Sequence, residues 1–198
     1  MTEFSTPPLP SPPHRITDCR ERTKLIHLFF QNDRPRAEAL NVPKVIEELT
    51  FLRTQISDDS PTAFCHNDIL AANIMTDDTG TIQLIDFEYG TMNFVAFDLA
   101  NHFNEWAGGT DDGVPDYSLL PSKEARKEFV AEYVNTRGGD MDVDHLLEEV
   151  DRFMWANNIY WGLWAVNQAA AEGCNDFDYL LYAENRFNQY YRHSGRTK

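Results

Sequence analysis

The chain has 198 residues, of which 42% are hydrophobic, 13% aromatic and 25% charged. These proportions are typical of a globular protein and exclude a fibrous or largely disordered chain. The 17 Lys and Arg against 32 Asp and Glu give a formal net charge of −15. That balance argues against a nucleic-acid-binding protein, because phosphate contacts depend on clustered Lys and Arg. The length allows one domain with one sizeable core.

The cysteines and the apolar runs indicate the compartment. Cys19, Cys65 and Cys174 are far apart and form no CxxC pair, which argues against a disulfide framework and a zinc site. No apolar run reaches the roughly 18 to 20 residues of a membrane span, and the beginning of the chain lacks the apolar segment of a signal peptide. The sequence therefore predicts a cytoplasmic protein with no membrane span.

The first residues are rich in proline. Residues 5–13 hold five of the ten prolines, which predicts an extended, polyproline-like segment, with an SH3-type ligand as the alternative. We predict a disordered tail over residues 1–20 and one domain over residues 21–198.

The elements of this domain follow from periodicity and turn signals. Apolar residues at three- and four-residue steps predict a helix over 42–56. Short apolar runs at 63–65, 73–76 and 81–86, with a turn at 77–80, predict a small hairpin element. After Asp86 the chain is predicted to be helical, with a loop at 108–116. The predicted helices span 96–107, 122–136 with Ser122 as N-cap, 142–172 ended by Gly173, and 176–192. The fold class is α+β and mostly helical.

Residues 64–73 and the strand that ends at Asp86 carry the chemistry. A hairpin would bring Asp68, Asn73 and Asp86 to one edge. Phosphoryl transfer needs a carboxylate that accepts the proton of an attacking hydroxyl, together with hard oxygen ligands for Mg²⁺ on the phosphates. Asp68 suits the first role, Asn73 and Asp86 suit the second, and Glu88 could add an oxygen through water. Each residue alone could be an ordinary turn residue, but the pattern HxDxxxxN followed by a strand ending in IDF favours a kinase-like site.

Several motifs in order resemble the choline/ethanolamine kinase family over residues 23–192: HND at 66–68 with Asn73, IDFEY at 85–89, NF at 93–94, FD at 97–98, NHFNE at 101–105 and WGLW at 161–164. The resemblance implies the C-terminal lobe of a protein-kinase-like fold, and ATP and Mg²⁺ as co-substrate and cofactor. It also implies transfer of the γ-phosphate to a small amino alcohol, the first step of the CDP-ethanolamine and CDP-choline routes to phospholipids. It makes Asp68 the catalytic base, and it allows a homodimer.

An ammonium group is bound well by aromatic faces and a carboxylate. Trp161 and Trp164 are three residues apart on a helix and share a face, and Phe177, Tyr179 and Tyr182 follow at the next helix. The resemblance implies that the amino-alcohol pocket is lined by Tyr89, Glu105, Trp161, Trp164, Phe177 and Tyr182. Core packing is the alternative for each ring.

Three segments, at 101–108, 116–122 and 187–190, resemble the ethanolamine branch of the family. Leu70 does too, since choline kinases tend to place a glutamine there, whereas the WGLW motif is closer to choline kinases. We therefore expect ethanolamine as substrate, with choline as a second one.

The chain departs from the family pattern in the part before the catalytic loop. It has no GxGxxG, and Lys24 and Lys44 lie in stretches that read as helix or loop, so we expect the N-terminal lobe to be missing. Because phosphoryl transfer relies on positioning and electrostatics, little or no activity is expected from this chain alone. Two hypotheses remain: the catalytic lobe of an ethanolamine/choline kinase, and an inactive truncated module that binds a small amine or a partner protein. An antibiotic phosphotransferase or a protein kinase would not account for Glu105 and the Trp pair.

Overall fold

The structure, a computed structural model, describes residues 33–198. The predicted tail at 1–20 and the first part of the predicted domain, up to residue 32, lie outside the described residues. Within residues 33–198, no helix combines the length and the apolar character needed to cross a membrane.

The described residues form six α-helices and four short strands. The helices are α1 (Arg34–Ala39), α2 (Val42–Gln55), α3 (Val95–Glu105), α4 (Lys123–Arg137), α5 (Val143–Glu172) and α6 (Tyr179–Ser194). The strands are β1 (Thr62–Cys65), β2 (Ile74–Thr76), β3 (Ile82–Leu84) and β4 (Thr91–Phe94), and two 3-10 helices lie at Ala71–Asn73 and Tyr117–Leu119. The predicted mostly helical α+β fold is confirmed.

The strands form two antiparallel pairs. Strands β2 and β3 form the predicted hairpin, with Ile74 opposite Leu84. Its turn is closed by Asp77, whose Oδ1 accepts hydrogen bonds from the backbone N–H of Thr79 and Thr81, both at 2.9 Å. Strand β1 pairs with β4, which the sequence analysis missed by expecting one sheet element and only helix after Asp86. No turn signal reveals β4, because its partner lies far away in the sequence.

The helix ends follow local capping chemistry. Ser122 caps α4 by accepting a hydrogen bond from the backbone N–H of Ala125 at 3.2 Å, and Gly173, at φ +80°, ends α5, both as predicted. Helix α6 begins at Tyr179 and not at residue 176 as predicted. Its N-cap is Asp178, which accepts a hydrogen bond from the N–H of Leu181 at 3.0 Å.

Helix α5 joins the two parts of the core. With 30 residues, it is about 45 Å long at 1.5 Å per residue. Its C-terminal part packs with α2 and α6 around buried residues such as Val45, Ile159 and Phe187. Its N-terminal part packs with α3 and α4 around Phe103 and Val130. The helix therefore fixes α3 and α6 relative to each other.

Gly162 allows α5 and α6 to approach closely. A Cβ atom at this position would overlap the ring of Phe187, which is fully buried on α6. Glycine is unfavourable inside a helix by about 0.5–1 kcal/mol relative to alanine. The contact with Phe187 therefore explains why this glycine is useful in the middle of α5.

We expect Gly162→Ala to lower the free energy of unfolding by about 1–3 kcal/mol, because forcing an extra methyl group into a packed core displaces its neighbours. Helix propensity alone predicts the opposite sign. Urea unfolding monitored by circular dichroism measures the change. Asn167→Ala, at an exposed position of α5, is the control and should have a small effect. A stability of Gly162→Ala equal to or above that of the wild type would contradict the packing argument.

Candidate active site

The loop after β1 is anchored by Asp98, in the first turn of α3. Its Oδ2 accepts a hydrogen bond from the backbone N–H of His66 at 3.0 Å, and its Oδ1 accepts one from the N–H of Asn67 at 2.7 Å. Asn67 has φ +68°, and its side-chain amide donates to the carbonyl of Tyr89 at 2.8 Å and accepts from Asn93 at 2.8 Å. The backbone that leads into Asp68 is therefore held by both α3 and β4.

Asp68 is half-buried and is oriented by Asn73. The Nδ2 of Asn73 donates to the carbonyl oxygen of Asp68 at 2.9 Å and to its Oδ2 at 3.2 Å. Burial, together with repulsion from the carboxylate of Glu105, raises the pKa of Asp68 to about 6. His66 is a structural partner here, since its Nε2 lies 2.8 Å from the carbonyl oxygen of Ile85.

The hairpin brings Asn73 and Asp86 next to each other. The N–H of Ile85 donates to the carbonyl of Asn73 at 3.1 Å, so Asp86 follows directly after the residue opposite Asn73. Asp86 lies beyond the end of β3 and not within a strand as predicted, and it has φ +64°. Asn73 is buried and Asp86 is exposed.

A cavity of about 360 Å³ lies beside Asp68. It is lined by Asp68, Leu70, Glu88, Tyr89, Glu105, Thr110, Trp161, Trp164, Phe177, Tyr179 and Tyr182. The six residues predicted to bind the amino alcohol therefore share one cavity with Asp68 and Glu88, whereas Asn73 and Asp86 do not line it.

The aromatic side chains of the cavity form a fixed wall. Tyr89 and Trp161 meet edge-to-face with ring centroids 5.4 Å apart, as do Trp161 and Trp164. The Nε1 of Trp164 donates to the hydroxyl of Tyr89 at 3.1 Å, and that of Trp161 donates to Oδ1 of Asn101 at 2.6 Å. Hydrogen bonds and ring packing thus hold these rings in place without a ligand.

Glu105 forms a buried ion pair that the sequence analysis did not foresee. Its Oε1 accepts from Arg186 of α6, and the side chains of Glu105 and Arg186 are 5% and 0% exposed. Arg186 also donates to the hydroxyl of Tyr182, from Nε at 2.9 Å. Burial alone lowers the pKa of Arg186, but Tyr182 and Glu105 outweigh it and raise that pKa. Arg186 therefore offsets the charge of Glu105 at the cavity wall.

Sequence reasoning missed Leu70 and Thr110 as lining residues. Tyr179, predicted to follow the Trp pair at the next helix together with Phe177 and Tyr182, does line the cavity. An arginine four residues after Tyr182, on the buried face of an amphipathic helix, could have indicated the partner of a buried carboxylate.

The comparisons with known proteins identify the family. The family model described as choline/ethanolamine kinase matches residues 17–191. The chain belongs to the choline/ethanolamine kinase family. It is 41% identical over 160 residues to a probable ethanolamine kinase A of Dictyostelium discoideum, covering 78% of this chain and 44% of that protein. It is 34% identical over 152 residues to a probable choline kinase 3 of Arabidopsis thaliana, covering 73% and 44%.

Solved structures of the choline/ethanolamine kinase family are similar in fold. A Plasmodium vivax ethanolamine kinase matches with a TM-score of 0.68 at 28% identity, over 92% of this chain and 50% of the other. A choline kinase from Cryptosporidium parvum matches with a TM-score of 0.65 at 25% identity, over 87% and 56%. The chain thus has a kinase-like fold, and it spans about half the length of the curated relatives it matches.

We expect Arg186→Gln to lower the free energy of unfolding by about 3–5 kcal/mol, because it leaves the buried carboxylate of Glu105 without a counter-charge. Arg192→Gln, on the exposed surface of the same helix, should change stability by no more than about 0.5 kcal/mol. Urea unfolding curves of the two variants test this. Equal stabilities would show that the ion pair is not a structural requirement.

Proposed function

We propose that this lobe catalyses transfer of the γ-phosphate of ATP to the hydroxyl of ethanolamine, with choline as a second substrate. The single observation that supports this most is that one cavity contains both the half-buried carboxylate of Asp68 and an aromatic wall. Membership of the choline/ethanolamine kinase family supports phosphotransfer to one of these amino alcohols. A cytoplasmic location and a homodimer stay predictions from the sequence.

Asp68 is proposed as the base that accepts the proton of the substrate hydroxyl. A base must lie within hydrogen-bond reach of that proton and keep a defined orientation. The two hydrogen bonds from Asn73 restrain Asp68. The hydrogen bonds that Asp98 accepts from the preceding backbone limit movement of the loop. Partial burial removes competing water, which favours contact with a substrate hydroxyl.

Asn73 and Asp86 are proposed to hold Mg²⁺ on the phosphates of ATP. Asn73 uses its Nδ2 to restrain Asp68, which leaves its amide oxygen for a hard cation. The carboxylate of Asp86 makes no hydrogen bond within residues 33–198 and is exposed, so it too has free oxygens. Oxygen ligands of this kind suit Mg²⁺, which would neutralise charge on the phosphates when bound. Glu88 is proposed as a further oxygen donor through water.

The aromatic wall is proposed to bind the ammonium group. Ring faces attract a cation by about 0.5–2 kcal/mol each, depending on desolvation. Since Arg186 offsets Glu105 and Asp68 is proposed as the base, Glu88 is the remaining carboxylate that lines the cavity. A primary ammonium can donate N–H bonds to its oxygens, whereas a quaternary one cannot. This difference supports ethanolamine over choline.

One observation fits both the catalytic lobe and the inactive module. Large apolar side chains are exposed on and beside the strands of the described part, among them Phe64, Ile82 and Met92, which are 63%, 66% and 65% exposed. Exposed apolar surface of this kind marks a contact with another folded part. The lobe is therefore proposed to act together with a second lobe, while the alternative places a partner protein there without turnover.

We expect Asp68→Asn to reduce MgATP-dependent phosphorylation of ethanolamine by about 10²- to 10⁴-fold. The assay uses a longer protein, in which this lobe is joined to the other half found in its relatives. Ethanolamine binding and the circular dichroism spectrum should be retained. Asp78→Asn, in the exposed hairpin turn, is the matched control. Unchanged turnover in Asp68→Asn would rule out Asp68 as base. Binding without turnover in the wild type as well would favour the inactive module.

We expect Trp164→Leu to weaken ethanolamine binding by about 3- to 30-fold, because it removes one cation–π face from the cavity. Trp155→Leu, a tryptophan on the same helix that does not line the cavity, should leave the dissociation constant unchanged. Isothermal titration calorimetry on the 198-residue chain measures both. Equal affinities in the two variants would mean that the ammonium binds elsewhere.

A further inference from the structure

A second cleft, of about 340 Å³, lies between α6 and the 3-10 helix Tyr117–Leu119. We propose that it binds a small zwitterion that contains a phosphate and an ammonium group, the chemistry of phosphoethanolamine. The choice of ligand rests on the proposed function, since that reaction would form this product. The cleft is lined by Pro115, Asp116, Tyr117, Ser118, Asn185, Asn188, Gln189 and Arg192.

One polar stripe of α6 forms a wall of the cleft. Asn185, Asn188, Gln189 and Arg192 are spaced i, i+3, i+4 and i+7, so they share one face of the helix. The facing wall is tied to this stripe, because the hydroxyl of Tyr117 donates to the carbonyl of Asn185 at 3.2 Å. Asn185 donates to the carbonyl of Gly113 at 2.8 Å and Asn188 accepts from Lys198 at 3.2 Å. Within residues 33–198 both asparagines thus have partners, whereas Oε1 of Gln189 and the guanidinium of Arg192 have none.

Gln189 provides an unused acceptor in the cleft. Its side chain is 2% exposed, and its Oε1 has no hydrogen-bond partner among the described residues. Its Nε2 lies 3.1 Å from Nε2 of His193. A buried amide oxygen without a donor is costly. Because Oε1 is itself buried in the structure, an N–H group of a ligand in the cleft would satisfy it once the side chain of Gln189 turns towards the cleft.

The rim of the cleft has one charge of each sign. Within residues 33–198 Arg192 makes no ion pair or hydrogen bond, although the chain has a net charge of −15. Asp116 uses Oδ1 to accept from the N–H and the hydroxyl of Ser118, at 3.0 and 2.6 Å, and its Oδ2 accepts no hydrogen bond there. An anion alone would be repelled by Asp116, and a cation alone by Arg192. A zwitterion matches both charges.

The cleft also brings together two segments that resemble the ethanolamine branch of the family. Residues 116–122 contribute one wall, and residues 187–190 contribute Asn188 and Gln189 to the other. The loop at 108–116 connects the two sites, because its Thr110 lines the cavity beside Asp68 and its last residues line the cleft. The segments that resemble the ethanolamine branch are therefore also segments that line the second cleft.

The test is a calorimetric titration of the 198-residue chain with phosphoethanolamine. Saturating ethanolamine keeps the cavity beside Asp68 occupied. We expect one binding event in the wild type, and an affinity about 10- to 100-fold lower in Arg192→Gln, which removes a charge-assisted hydrogen bond to the phosphate. Arg152→Gln, at a partly exposed arginine of α5 that pairs with Glu148 outside the cleft, is the control and should bind as the wild type does. Asp116→Asn should weaken phosphoethanolamine binding but not that of inorganic phosphate.

Three outcomes would overturn the second site: equal affinity in Arg192→Gln and the wild type, equal affinity of the wild type for inorganic phosphate and phosphoethanolamine, or no binding at all. Binding that appears only when ethanolamine is left out, and that is lost in Trp164→Leu but kept in Arg192→Gln, places the ligand beside Asp68, so the second site fails while the proposed function stands. Binding that depends on Arg192, together with no MgATP-dependent turnover in the protein that also contains the second lobe, would support the second site and overturn the proposed function.

Discussion

The carboxylate of Asp98 holds together the two parts of the candidate active site. Its two oxygens accept the backbone N–H groups of His66 and Asn67, directly before Asp68. Asp98 lies on α3, which packs against α5, and α5 contains Trp161 and Trp164. The position of Asp68 relative to the aromatic wall is therefore set through one carboxylate and one helix contact. Hydrogen bonds from two backbone N–H groups to a charged acceptor are strong and directional, which suits a loop whose next residue must keep its place.

The buried carboxylates Glu105 and Glu48 are each paired with an arginine, and the first of these pairs lies at the cavity wall. Arg186 compensates Glu105 inside the cavity wall, and Glu48 of α2 accepts hydrogen bonds from Tyr190 at 2.7 Å and from Arg196. Such pairs add little net stability but are expensive to break, because removal of the arginine leaves an uncompensated buried carboxylate. For the proposed reaction the consequence is that Glu105 is not a free counter-charge for an ammonium group. Aromatic faces and the remaining carboxylates have to provide that attraction, and a site of this kind distinguishes amines by their N–H groups.

Local chemistry explains which parts of the structure could be predicted from the sequence. Helices α4 and α5 were predicted within a few residues, because Ser122 and Gly173 mark their ends by contacts within the same segment. Trp161 and Trp164 could be placed on one face from their spacing alone. The pairing of β4 with β1 and the contact of Arg186 with Glu105 could not be predicted, since both partners are distant in sequence and become neighbours only when the helices pack. For the same reason the motif residue Asp98 was recognised without its role as an anchor.

The resemblance to choline and ethanolamine kinases supplied the residues of the pocket, and the structure shows that they line one cavity with Asp68. We propose that this cavity binds the amino alcohol with its hydroxyl towards Asp68, and a crystal structure of the chain with ethanolamine is the decisive experiment. We expect electron density against Trp161 and Trp164, with the hydroxyl oxygen about 2.6–3.2 Å from a carboxylate oxygen of Asp68. Ethanolamine bound outside this cavity, or bound inside it with its hydroxyl directed away from Asp68, would refute the proposed role of Asp68.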